Sequence, residues 1–142
     1  MLLEMIKGLI KKEYPLYTNL SSAASILYIM ENINWAGFYI VEKDTLYVGP
    51  YQGELACIKI DYGKGVCGTA FKEKRTIIVD DVNTFKGHIA CSSKSKSEIV
   101  VPIIKDGNVK AVIDIDSPIY NRFSTIEQEE LEKIAEILGE LF

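Results

Sequence analysis

The sequence predicts an α+β fold with a mainly antiparallel sheet. Two observations carry that expectation. Apolar stripes at helical spacing occupy both ends of the chain, and pairs of short β-branched and aromatic runs joined by tight polar turns fill the middle.

Residues 2–12 place Leu2, Leu3, Ile6, Leu9 and Ile10 on one helical face, and Pro15 closes that segment. A second helix is expected over residues 19–32, where Leu20, Ala23, Ala24, Leu27 and Met30 share a face and Asn19, Ser21 and Ser22 offer capping side chains. Trp35 to Val41 and Leu46 to Tyr51 flank a polar turn at Lys43-Asp44 and read as a hairpin. Leu55 to Ile60 alternates and reads as a third strand. Gly63-Lys64-Gly65 breaks it ahead of a short helix over Val66 to Lys72. Thr76 to Val79 reads as a short strand. Residues 80–97, DDVNTFKGHIACSSKSKS, show no period, and a long irregular loop inside a folded unit is usually functional. A second hairpin follows, Ile99 to Ile104 and Val109 to Asp116, around Lys105-Asp106-Gly107-Asn108. The last helix opens with the capping box Ser124-x-x-Glu127 and buries the stripe Leu131, Ile134, Ala135, Leu138 and Leu141 against the sheet. These runs make about six strands between N- and C-terminal helices.

A chain of 142 residues without repeats or linkers is expected to form one domain, residues 1–142. A net charge of -4 gives no electrostatic footprint for nucleic acid or for anionic membrane surfaces. No apolar run approaches a bilayer-spanning length, and the charges at Glu4, Lys7, Lys11 and Lys12 interrupt any signal-like core, so a cytoplasmic location is expected.

The chemistry-bearing residues are few. Three cysteines, an odd count, argue against a structural disulfide framework in a chain of this kind. Cys91 lies in the irregular loop with Lys86, His88 and Lys94 near it in sequence. Positive neighbours raise the thiolate fraction, which favours a reactive thiol over a core residue. Cys67, in GVCG, sits near the start of the short helix. There the helix dipole favours a thiolate, while close packing against glycines favours a buried structural residue. Cys57, in the alternating run LACIKI, reads by itself as a buried strand residue. His88, Cys91, Cys67 and Cys57 make the number of ligands zinc requires, but no C-x-x-C knuckle accompanies them. No metal is expected, and His88 reads as an ordinary loop residue.

Asp114 and Asp116 lie two apart in a strand and so share a face, with Ile113 and Ile115 opposite. Crowded carboxylates raise at least one pKa and keep an acid protonated. A wet strand face is the plainer alternative. Glu98 begins the neighbouring strand and is placed to join them. Trp35 and Tyr39 also share a face and form an aromatic wall suited to a cationic or methyl-bearing ligand, whereas Phe38 belongs to the core.

Taken together, NWAGFY, VGPYQGELACIKI, GKGVCGTA, DDVNTFKGHIACSSKSKSEIVVPI and VIDIDSP resemble the free methionine-(R)-sulfoxide reductase family, a group of GAF-domain enzymes. The resemblance runs from about Asn34 to the C-terminal helix and includes the separations between the cysteines, ten and then twenty-four positions. Ordinary GAF sensor domains share the fold without this trio. The resemblance implies a GAF-like sheet flanked by helices, a small enclosed pocket, a homodimer, no cofactor, and thioredoxin as external reductant. It implies that Cys91 attacks the substrate, that Cys57 is its disulfide partner and that Cys67 is a further redox cysteine. Glu98, Asp114 and Asp116 then bind substrate beside Trp35 and Tyr39. The implied reaction converts free L-methionine-(R)-S-oxide to methionine through a cysteine sulfenic acid. Two other readings use the same fold: a non-catalytic small-ligand-binding module and a redox sensor.

Overall fold

The computed structural model describes residues 1–89, 91 and 93–142; Ala90 and Ser92, both part of the GHIACSS segment, lie outside the described residues. The first hairpin forms β1 (Trp35–Glu42) and β2 (Thr45–Gly53), turning at Lys43, whose φ of 59° is the left-handed geometry a tight turn requires. The second forms β5 (Ser97–Lys105) and β6 (Asn108–Ser117), turning through Asp106 and Gly107, both at positive φ. With β3 (Lys59–Asp61) and β4 (Ile77–Val79) they make one six-stranded antiparallel sheet in the order β3-β2-β1-β6-β5-β4.

Each face of this sheet is buried, which is why β5 and β6 read as nearly unbroken apolar runs. One face carries Phe38, Ile99, Ile103, Ile113 and Ile115. It is covered by α1 (Leu2–Leu9), α2 (Leu16–Leu27) and α4 (Thr125–Gly139), which supply Ile6, Leu20, Leu27, Leu131, Ile134 and Leu138. The other face carries Trp35, Tyr39, Val100 and Val112. It packs against Val66, Cys67, Ala70 and Phe71 of α3 (Gly65–Glu73). The period of two that separates Asp114 from Ile113 therefore separates two interiors rather than an interior from solvent. The α4 capping box forms as expected: the Ser124 amide donates to Glu127 at 2.6 Å, and the Ile126 amide donates to Ser124 Oγ at 3.2 Å.

Several boundaries differ from expectation. The first helix ends at Leu9 because Ile10 is extended, with φ −81° and ψ 146°. The second starts at Leu16, with Pro15 as its entry, and stops at Leu27 rather than running over 19–32. Asn19 is consequently interior, not a cap. Its buried amide pairs with the Lys11 backbone, accepting from N at 3.0 Å and donating to O at 2.8 Å, and so ties the connection between α1 and α2. The expected strand Leu55 to Ile60 shrinks to β3. One further ladder bond, Val48 N to Ile58 O at 2.9 Å, reaches back toward Cys57, and Leu55 to Cys57 run free of the sheet edge.

Two glycines bring the site's walls together. A Cβ on Gly37 would lie 2.3 Å from Tyr51 Cβ, so only glycine lets β2 come close enough for Tyr51 to stack on Trp35, centroids 5.0 Å apart. A Cβ on Gly68 would lie 2.6 Å from the Asp61 carbonyl, so glycine there seats α3, and Cys67 with it, against the end of β3.

Candidate active site

The antiparallel register assembles the site. Trp35 lies opposite Asp116, and Asp116 lies opposite Glu98, so β1, β6 and β5 present one row of three side chains. The next row brings Gly37, Asp114 and Val100 into line, and the side chain missing at Gly37 leaves room beside Asp114. Trp35, Glu98, Asp114 and Asp116 of these rows line one pocket, with Asn34, Tyr39 and Ile60. α3 adds Val66 and Cys67; the segment after β2 adds Glu54, Leu55 and Ala56; the loop before β5 adds His88, Ile89, Cys91 and Ser95. Described residues of the irregular loop, His88, Ile89, Cys91 and Ser95, thus close over strand-borne acids, and Cys91, Glu98, Asp114 and Asp116 line one cavity.

The expected aromatic wall is present. Trp35 stacks on Tyr39 with centroids 5.9 Å apart, and each ring is fixed by its polar end. Trp35 Nε1 donates to the Glu54 carbonyl at 3.1 Å, and the Tyr39 hydroxyl donates to the Cys57 carbonyl at 3.0 Å. Burial, with Asp114 next in size, pushes the Tyr39 phenol far up, so it stays a hydrogen-bond donor. That bond anchors the Cys57 segment to the pocket floor.

Cys57 and Cys91 form a disulfide, with Cα atoms 5.4 Å apart, across a sequence separation of 34. Cys57 is not a buried strand residue, as its alternating neighbours had led us to expect. It lies half-buried just ahead of β3, because its bond to the loop competes with pairing at the sheet edge. The bond also removes two of the four ligands of the zinc site considered above: those sulfurs hold each other. Among the described residues the cation-competent group is a different one, Cys67 with Glu98 and Asp114, whose donor atoms lie within 4.8 Å of one another. Lys94 pairs with Glu54 at the pocket mouth. His88 is more than an ordinary loop residue: it lines the pocket, close enough to Asp114 for the two charges to interact.

Glu98 and Asp114 are 7% and 6% exposed and Asp116 is half-buried, so the acids do not form an open, wet face. Burial drives the Glu98 carboxyl well above its ordinary range, and the charges of Asp114 and Asp116 push it further. Burial raises Asp116 as well, followed by the charge of Asp114. Asp114 is also raised by burial, but hydrogen bonds from Glu98 and Cys67, together with the His88 charge, oppose the rise. The consistent arrangement is one carboxylate, Asp114, bonded by a carboxylic acid, Glu98, and by a thiol. Cys67 departs from the sequence expectation here. Its place near the start of α3 favours a thiolate, yet complete burial, then the charges of Asp114 and Glu98, raise its pKa well above the ordinary value. Desolvation against carboxylates outweighs the helix dipole, and the free thiol stays protonated.

Three residues of the site were not singled out from sequence. Tyr51 backs Trp35, Ser95 bonds the Asp116 carboxyl, and Asn34 bonds Ser95. The position of Tyr51 across the hairpin from Gly37 was its one available signal. Among the described residues no helix is long and apolar enough to cross a membrane.

Comparison with known proteins places this architecture. The GAF domain family matches residues 23–142. A free methionine-R-sulfoxide reductase of Saccharomyces cerevisiae is 47% identical over 147 residues, covering 97% of this chain and 82% of that protein. One of Escherichia coli is 41% identical over 128 residues, covering 89% and 78%. The solved structure of free methionine-R-sulfoxide reductase from Neisseria meningitidis in complex with its substrate superposes with a TM-score of 0.95 at 39% identity, covering 99% of this chain and 86% of that one. With the cysteine trio, the aromatic wall and the buried acids assembled on that fold, the chain belongs to the free methionine-R-sulfoxide reductase family of GAF-domain proteins.

Proposed function

We propose that this protein reduces free L-methionine-(R)-S-oxide to methionine, with Cys91 as nucleophile, Cys57 as resolving thiol and an external dithiol of the thioredoxin class as reductant. The observation that carries the proposal is the convergence of a disulfide-forming sulfur, Cys91, with buried acids in one pocket. In the reduced protein the substrate ammonium sits against Asp114 and its S-methyl group packs on Trp35. Glu98, held protonated by burial, donates its proton to the sulfoxide oxygen and makes the sulfur electrophilic. The Cys91 thiolate attacks that sulfur. The S–O bond breaks as oxygen passes to Cys91, which becomes a sulfenic acid, and the substrate sulfur leaves as the thioether of methionine. The Cys57 thiol then displaces water from the sulfenic acid and forms the disulfide. The external dithiol restores both thiols by exchange. In sum, sulfoxide and dithiol become thioether, disulfide and water.

Enclosure accounts for selectivity toward the free amino acid. A peptide-bound methionine sulfoxide has no ammonium and would leave Asp114 buried without a cationic partner. The reduced protein is expected to release methionine from the free R epimer with a dithiol present, and from an N-acetylated or peptide-bound sulfoxide at least about 100-fold more slowly. Amino-acid analysis of the reaction measures both; no methionine from the free R epimer overturns the proposal.

The disulfide is reachable from outside. Leu55 and Ile58, 83% and 70% exposed, flank Cys57 and give a reductant an apolar landing surface beside the bond. Cys57→Ser is expected to release about one methionine per chain in a single turnover, because oxygen transfer needs only Cys91. Steady-state turnover on thioredoxin should fall at least about 10-fold, because the sulfenic acid is no longer resolved next door. Rapid-quench and steady-state assays separate the two. Loss of the single turnover would move the attacking role away from Cys91.

A further inference from the structure

We infer that Asn34 reads the ligand's ammonium group as a neutral acceptor in the same pocket as Asp114, an assignment that rests on the reductase reading of the pocket. Asn34 stands one residue ahead of β1, and its amide N–H donates to the Asp116 carbonyl at 3.0 Å, which fixes its backbone just before the row of Trp35, Asp116 and Glu98. Its Nδ2 donates to Ser95 Oγ at 3.2 Å. The other end of the amide, Oδ1, is buried, and among the described residues no donor reaches it. Among the described residues only one other buried side-chain nitrogen or oxygen lacks a partner, Asp114 Oδ1, and both residues line the same pocket.

Buried polar atoms are nearly always satisfied, so orphans clustered in one cavity describe their missing partner. Here both orphans are acceptors. A group that presents at least two hydrogens from one small centre can serve both, which a primary ammonium does and an acylated nitrogen, with its single N–H, does not. Asn34 suits that task better than a fourth carboxyl would. It supplies an acceptor without adding charge to a cavity that already crowds Glu98, Asp114 and Asp116. Asp114 then attracts the cation, and Asn34 counts its hydrogens.

The test compares wild type, Asn34→Leu and Asn34→Asp on two substrates: free methionine-R-sulfoxide and its des-amino analogue, the R epimer of 4-(methylsulfinyl)butanoate. Asn34→Leu, close in volume but without an acceptor, should raise KM for methionine-R-sulfoxide at least about 10-fold with kcat within about threefold, and should reduce the des-amino analogue as well as wild type does. Asn34→Asp, which keeps the acceptor, should restore most of the lost KM. Equal loss on both substrates in Asn34→Leu would mean that Asn34 only tethers the loop through Ser95, and would overturn the assignment alone. So would an unchanged KM, or no recovery in Asn34→Asp. Failure of wild type to reduce either compound would overturn the reductase reading and this assignment with it.

Discussion

Cys91→Ser is expected to lower kcat/KM for free methionine-R-sulfoxide by about 10³-fold or more. A serine hydroxyl is a far weaker nucleophile than a thiolate and forms no stable product with the transferred oxygen. Neither remaining cysteine is placed to substitute. Cys57 lies outside the pocket lining and meets the site through its bond to Cys91. Cys67 lines the pocket, but burial and the neighbouring carboxyls hold it as a thiol, the unreactive form. The loss should therefore be in chemistry rather than in binding. Methionine binding, followed by Trp35 fluorescence, should stay within a few-fold of wild type. Methionine release measured before any dithiol is added gives the sharpest result, because it requires only the first step. Release by Cys91→Ser at more than about a tenth of the wild-type rate would end the assignment.

The second large effect belongs to Glu98→Gln. The amide keeps a donor toward Asp114 but has no proton to give, so kcat should fall by about 10² to 10⁴-fold while KM changes little. Stability should move the other way. The folded-state pKa of Glu98 is raised above its unfolded value, chiefly by burial. Between those two values the folded protein holds a proton that the unfolded chain has lost. Stability from this group is complete below the ordinary carboxylate range and declines as pH rises toward the raised folded value. Asp114 and Asp116 are raised too and act in the same sense. Wild type should thus melt at a lower temperature at pH 8 than at pH 5.5, and Glu98→Gln should flatten that slope. A gain of roughly 1 kcal/mol at pH 8 corresponds to about 2–4 °C in a chain of this size. Thermal melts of both proteins across that range decide it: parallel slopes would mean that Glu98 ionises alike in the folded and unfolded states.

These two predictions draw on features of unequal legibility. The shared face of Asp114 and Asp116, the shared face of Trp35 and Tyr39, the opposed Phe38, Ile113 and Ile115, and the Ser124 capping box are all local matters of period and cap chemistry, and each is found as the residue pattern requires. The second helix misled because Asn19, Ser21 and Ser22 look like caps, while Pro15, read as a stop, begins the helix. Leu55 to Ile60 misled because alternation reports a face and not a partner: Cys57 is drawn off the sheet edge by Cys91, 34 residues away.

By itself, then, the chain's order of residues determined the α+β class, the two hairpins, and which side chains point the same way, since dihedral preference and side-chain period act over a few neighbours. Whether a shared face is wet or buried is not a local property. That the acids of β6 lie under α3 and the cysteine loop, that Glu98 and Cys67 hold their protons, and that Cys57 meets Cys91 depend on strand order and on desolvation by distant segments. Only the tertiary structure decided them, because the energy of a charge is set by everything packed around it.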